Sequence, residues 1–96
     1  MALRFEWDAA KDRLNRKRHG VSFEEAQTAF FDESARLMGD PDHSDDEDRF
    51  ILLGLSVRLR LLVVARSYRH VDESIRVISA RRADPSERFE YAGWLK

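Results

Sequence analysis

The sequence contains no cysteine. Disulfides, thiolate metal sites and cysteine nucleophiles are therefore excluded, and a reducing compartment suits the chain. Its three histidines, His19, His43 and His70, are scattered and show no His-Glu-x-x-His spacing, so a transition-metal centre is not expected. The four glycines form no phosphate-cradling loop. No apolar run approaches the ~18–20 residues that span a bilayer, and the N-terminus has no apolar signal-peptide core. The expectation is a cytoplasmic protein with no membrane partner and no cofactor. Repeats, low-complexity tracts and interdomain linkers are also missing.

What remains is a chain of 96 residues, 43% hydrophobic, which suits one domain over residues 1–96. The net charge of −1 conceals an asymmetry. Residues 1–48 carry 7 basic and 13 acidic side chains and residues 49–96 carry 10 and 5, so the halves stand at −6 and +5. Nine of the ten C-terminal cations are arginine, whose planar fork suits phosphate better than the point charge of lysine. A basic half on a near-neutral protein points to a local anionic partner.

Leu3 to Trp7 alternates as a short strand does. Asp8 caps a helix over Ala9 to Arg18, and Gly20 follows its end in the position of a left-handed cap. Ser22-Phe23-Glu24-Glu25 reads as a capping box opening a second helix, which makes an α-hairpin. Ala35 to Met38 is a short strand candidate, and Asp40 to Asp48 an acidic loop. Phe50 to Leu55, Arg58 to Arg66 and Ser74 to Arg82 read as three strands of an antiparallel meander, with Ser67 to Glu73 as a connecting loop. Asp84-Pro85-Ser86-Glu87 starts a last helix that carries Phe89, Ala92 and Trp94 or Leu95 toward the sheet. The expected fold is α+β: one antiparallel sheet, helices on one of its faces, and the other face partly open.

The strand-borne arginines are the informative residues. By parity Arg58, Arg60 and Arg66 share a face, Arg76 and Arg82 share one, and Arg81 takes the opposite one. Guanidinium groups fixed on strands can hold a phosphate in one orientation, unlike those on a flexible tail. Cross-strand pairing with Glu6, Glu87 or Glu90 is the plain alternative. His43 and Glu47, in the acidic loop, could move protons. RNA cleavage fits this inventory, because the ribose 2′-hydroxyl is itself the nucleophile. Fixed cations then stabilise the charge on the phosphorane, often the largest catalytic contribution.

Beyond these residues the sequence resembles a known family. Phe5-Glu6-Trp7-Asp8, Lys11, Asn15 and His19-Gly20-Val21-Ser22-Phe23-Glu24-Glu25-Ala26 are similar to the N-terminal signature of BrnT-type toxins. Asp40-Pro41-Asp42-His43-Ser44, Glu47, Arg49-Phe50 and Gly54 resemble its middle segment. Arg60 to Val64 and Ile75 to Ala83 resemble its last two strands, and Glu87 and Tyr91 its final helix. Leu59 stands where members often carry glycine, and Arg66 where histidine or tyrosine is common. The resemblance implies a RelE-like fold and metal-independent RNA cleavage that halts growth. It also implies a BrnA-like DNA-binding antitoxin, through which the complex would reach operator DNA. Carried onto this chain, it assigns Arg60 and Arg81 to phosphate and transition-state stabilisation. Glu47 is assigned to proton transfer with His43 or Tyr91 as substitutes, and Lys11, Lys17, Arg76 and Arg82 to flanking RNA. The competing reading is a non-catalytic module that binds a partner protein and acts in promoter autoregulation.

Overall fold

The structure, a computed structural model, describes residues 4–40, 48–69 and 72–95. In chain order these form β1 (Arg4–Glu6), α1 (Ala9–His19), α2 (Phe23–Thr28), a 3-10 turn (Ala29–Phe31), β2 (Arg36–Gly39), β3 (Arg49–Leu55), β4 (Leu61–Arg69), β5 (Ser74–Arg82) and α3 (Pro85–Trp94).

Local chemistry accounts for the helices. Asp8 accepts the N–H groups of Ala10 and Lys11 at the start of α1, and Gly20 closes it at φ 69°, where only glycine sits without cost. Ser22 accepts from Glu25 N–H to open α2, but the Glu25 carboxylate does not return to complete the box. It is used elsewhere. At α3 the box is complete: Asp84 and Glu87 satisfy each other's backbone, with Pro85 in the first turn.

The five strands lie in the order β1-β5-β4-β3-β2. The sheet is mixed, which corrects the expectation of an antiparallel one. β2 through β5 run antiparallel, but β1 pairs in parallel with β5, Phe5 against Ile75. That pairing joins the two ends of the chain, and local pattern carries no information about it.

The helices are not on one face either. α1, α2 and the segments flanking α2 cover one face, with Val21, Phe23, Ala26 and Ala29 packed on Leu52, Leu62, Val64, Val77 and Ala80. α3 covers one end of the opposite face, where Tyr91 and Trp94 meet Leu53, Val63 and Ala83. Phe89, expected against the sheet, is 82% exposed. At 100° per residue it lies about 200° around α3 from Tyr91, so the two cannot share a face. Gly54 has room for no side chain: a Cβ there would meet the Ala29 carbonyl oxygen at 2.7 Å.

Two irregularities interrupt the strands, and the second redirects an arginine. β4 begins at Leu61, not Arg58, because residues 56–60 form a turn closed by Ser56 N–H to Arg60 O at 2.9 Å. β4 also runs on to Arg69, through part of the segment expected to be a loop. In β5 the partner changes from Ser79 to Val77 as β4 passes from Ala65 to Arg66, so Ile78 is an extra, bulged residue. The bulge reverses parity, placing Arg76 on the same face as Arg81 and sending Arg82 to the other.

Leu59 holds the turn at φ 61° and is 79% exposed. A left-handed conformation costs an L-residue ~1–2 kcal/mol, which outweighs the ~0.5–1 kcal/mol of extra chain entropy that glycine brings. Leu59→Gly is therefore expected to raise the thermal or urea unfolding midpoint by about 0.5–1 kcal/mol of stability. A lowered midpoint would contradict this account of the turn.

Candidate active site on the open sheet face

Beyond the end covered by α3, the sheet face holds a cleft of about 280 Å³. Ile51, Val63 and Ala65 form an apolar floor, with Arg49, Arg81, His19, Asp40 and Ser79 among the polar lining. Arg49 opens β3 and lies 3.7 Å from the buried Asp40 carboxylate. Its Nε is buried with no hydrogen-bond partner among the described residues. Desolvating such a donor without a partner costs about 1–3 kcal/mol.

Arg81 is held more firmly. Its two terminal nitrogens donate to the two Glu87 oxygens at 2.8 and 2.9 Å, and Nη1 also reaches Arg82 O at 3.3 Å. Glu87 is fixed in turn by Asp84 N–H at 2.9 Å. The Arg81 hydrogen bonds hold the Glu87 carboxyl below its usual range. Among the described residues these contacts engage three of the five guanidinium N–H groups, leaving two for a ligand. A forked cation with a preset orientation beside an apolar floor suits a phosphodiester.

The structure separates the arginines that the sequence brought together. Arg60 is not on the face of Arg81. It lies at the α1/α2 side, where it pairs with Glu25 through both Nε and Nη2 and donates to Gly20 O at 3.1 Å. The even-numbered residues of β4, Leu62, Val64 and Arg66, face the helices, and Arg60, in the turn just before the strand, lies on that same side. Arg66, grouped with Arg60 by parity, is also on the helix side, its guanidinium 4.9 Å from the Phe50 ring centroid and 6.0 Å from that of Phe30. Arg76 shares the open face and Arg82 does not, as the bulge requires. Lys11 and Lys17 are exposed on α1; Lys11 lines a second cleft between α1 and β5. His43 and Glu47 lie outside the described residues.

Tyr91 is placed in the core rather than in the cleft. Its hydroxyl donates to Asp32 Oδ2 at 2.5 Å, and the residue is 8% exposed. Burial, reinforced by the Asp32 carboxylate, pushes the phenol up to about 12. Burial also works to raise the Asp32 carboxyl. The Tyr91 hydroxyl and the Leu55 and Ser34 N–H groups outweigh it and hold the group below its usual range. A phenol so tied is a poor proton shuttle, so the role assigned to Tyr91 is corrected to a structural one. Tyr91→Phe is expected to cost about 1–2 kcal/mol of stability, the worth of a hydrogen bond to a charged group. Any RNA cleavage per folded molecule should be unchanged. A large loss of cleavage at intact stability would return Tyr91 to the chemistry.

His19 and Arg49 are the cleft residues that sequence reasoning passed over. His19 reads locally as a basic residue at a helix C-terminus, and Arg49 as the end of an acidic loop. Only their tertiary neighbours distinguish them. Among the described residues no three His, Asp or Glu side chains are grouped to hold a metal ion, and no helix is long and apolar enough to cross a membrane.

Comparison with known proteins gives two findings. Residues 7–87 match the family model described as the ribonuclease toxin BrnT of type II toxin–antitoxin systems. The fold is similar to the 1.1 Å crystal structure of the Brucella abortus ribonuclease toxin BrnT, with a TM-score of 0.67 and 24% identity over 86% of this chain and 99% of that one. No curated protein matches significantly.

Proposed function

Taking as premise that the chain belongs to the BrnT family of ribonuclease toxins of type II toxin–antitoxin systems, we propose that it is a metal-independent endoribonuclease acting at the open sheet face. The observation that carries the reading is the cleft in which Arg49 and Arg81 flank an apolar floor, with Arg81 oriented by Glu87.

In this reading the scissile phosphate sits on the two Arg81 N–H groups that Glu87 and Arg82 leave over, on Nε and Nη2, with Arg49 beside it. The ribose 2′-hydroxyl attacks the phosphorus, so the reaction needs no external nucleophile. The two guanidinium groups stabilise the phosphorane charge in a partly desolvated site, where fixed cations act most strongly. Arg76, on the same face, holds flanking RNA. Arg60 serves the fold instead. The resemblance assigns proton transfer to Glu47 with His43 as a substitute, and the cleft lining holds a further imidazole, His19. The family implies an antitoxin partner; a BrnA-like, DNA-binding antitoxin that covers this face would silence the enzyme and carry the complex to operator DNA. The protein would act in the cytoplasm, on a fold of the RelE-like kind.

The test is incubation of the purified protein with RNA in excess EDTA, with and without a BrnA-like antitoxin. The reading expects cleavage by the free protein and none by the complex. Intact RNA with the free protein, together with tight complex formation, would favour the non-catalytic module.

A further inference from the structure

His19 occupies a corner of the molecule that is built with unusual care. It ends α1 just before Gly20, whose N–H donates to Arg16 O at 2.9 Å. Four residues earlier, Asn15 pins this turn to the sheet. Its Nδ2 donates to Val21 O and to Ala80 O, both at 2.8 Å, and its Oδ1 accepts Ala80 N–H at 3.1 Å. β1 covers the outer edge of β5 only at residues 74–76. The buried Asn15 amide therefore takes the place of a neighbouring strand at Ala80, satisfying an edge that would otherwise stay open.

The pin holds His19 beside Ser79, and both residues line two clefts at once. One is the open-face cleft of Arg49 and Arg81. The other, about 290 Å³, lies between α1 and β5 and is lined by Lys11, Arg18, Leu14 and Ile78 as well. His19 and Ser79 thus bridge the two across the edge of a single strand. The two clefts that His19 lines also carry Lys11 and Arg18 from α1, Arg49 from β3 with Asp40 beside it, and Arg81 from β5 with its partner Glu87. Four of the five charged residues lining the clefts beside His19 are cations.

We propose that single-stranded RNA crosses the β5 edge at His19 and Ser79, and that His19 takes the proton of the attacking 2′-hydroxyl. The inference rests on the ribonuclease reading above. The 2′-oxygen forms a bond to phosphorus and its proton passes to the imidazole. The bond from phosphorus to the 5′-oxygen breaks, and that oxygen takes a proton from water. The products are a 2′,3′-cyclic phosphate and a 5′-hydroxyl, and His19 returns its proton to solvent. Imidazole suits the task because a neutral ring carries one nitrogen that accepts a proton and one that donates a hydrogen bond. The path over one strand edge demands a sharp bend between neighbouring nucleotides, which an unpaired chain accepts and a stacked A-form duplex does not.

The experiment compares wild type, His19→Ala and His19→Gln on a single-stranded oligonucleotide and its duplex across pH, with thermal midpoints recorded. Both variants should retain the fold, since His19 is exposed. Both should lose kcat by about 10²–10⁴-fold, the usual worth of a general base, with little change in KM. The acid limb of the wild-type profile should vanish, and added imidazole should restore part of the His19→Ala rate. The duplex should be a much poorer substrate. Wild-type rates and an unaltered pH profile in both variants would overturn the role of His19 while leaving the ribonuclease reading standing. Equal cleavage of the duplex would overturn the single-strand path. Failure of the wild type to cleave any RNA would sink the ribonuclease reading itself.

Discussion

Replacing Arg81 with alanine is expected to lower RNA cleavage by about 10²–10³-fold, the effect of removing one preorganised transition-state donor. The guanidinium lies in the cleft and is already oriented by two bonds to Glu87, so it needs little reorganisation when charge develops on phosphorus. The fold should survive. The Arg81 and Glu87 side chains are 43% and 25% exposed, and ion pairs in contact with solvent contribute ~0–1 kcal/mol. Glu87 also keeps its place in the α3 cap without Arg81. Arg81→Lys should be nearly as inactive, because one ammonium cannot hold both a carboxylate and a phosphate in fork geometry. The check is kcat/KM beside a thermal midpoint. Wild-type cleavage by Arg81→Ala would remove Arg81 from the mechanism.

Glu25→Ala should do the reverse, lowering stability sharply without touching the chemistry of the folded molecule. Glu25 is 5% exposed and accepts from Arg60 Nε at 2.9 Å, from Arg60 Nη2, and from Ser56 Oγ at 2.7 Å. It clamps the turn at residues 56–60 onto α2, assisted by Val57 N–H to Thr28 Oγ1 at 3.0 Å. Removing one partner of such a pair leaves a poorly solvated charge and costs about 3–5 kcal/mol, here near the lower figure because Arg60 keeps some contact with solvent. A loss of roughly 3 kcal/mol is a large share of the 5–15 kcal/mol typical of a domain. The Arg60 hydrogen bonds hold the Glu25 carboxyl below its ordinary value of 4.5. A group depressed in the folded state contributes stability above its unfolded pKa and loses it as pH falls through the folded one. Wild-type stability should therefore fall below about pH 4.5, and Glu25→Ala should show a shallower fall. Urea titrations at pH 7 and in that acid range measure both effects.

The local parts of this structure were legible in the sequence. Asp8, Gly20, Ser22 and the pair Asp84 and Glu87 mark helix ends through contacts three or four residues long, and each acts where it was expected. The long-range parts were not. Nothing near β1 announces a parallel partner about seventy residues away. Parity groups Arg60 with Arg66 but does not say which side of β4 the helices cover, and that side is theirs; in β5 the bulge at Ile78 breaks the parity and brings Arg76 to the site face. Glu25 looked like a cap residue because its partner Arg60 is distant in sequence. The resemblance to the family supplied the activity and Arg81, but only the Asn15 bridge to Ala80 shows why His19 borders the cleft.

Binding of an oligonucleotide that carries deoxyribose at every position, and so cannot be cut, locates the site without any turnover. Followed by backbone amide chemical shifts, it should perturb His19, Arg49, Ile51, Ala65, Ser79 and Arg81 and leave Ser56 to Arg60 silent. Perturbations confined to Ser56 to Arg60 and α2, with the sheet cleft unmoved, would contradict the assignment of RNA to the open face.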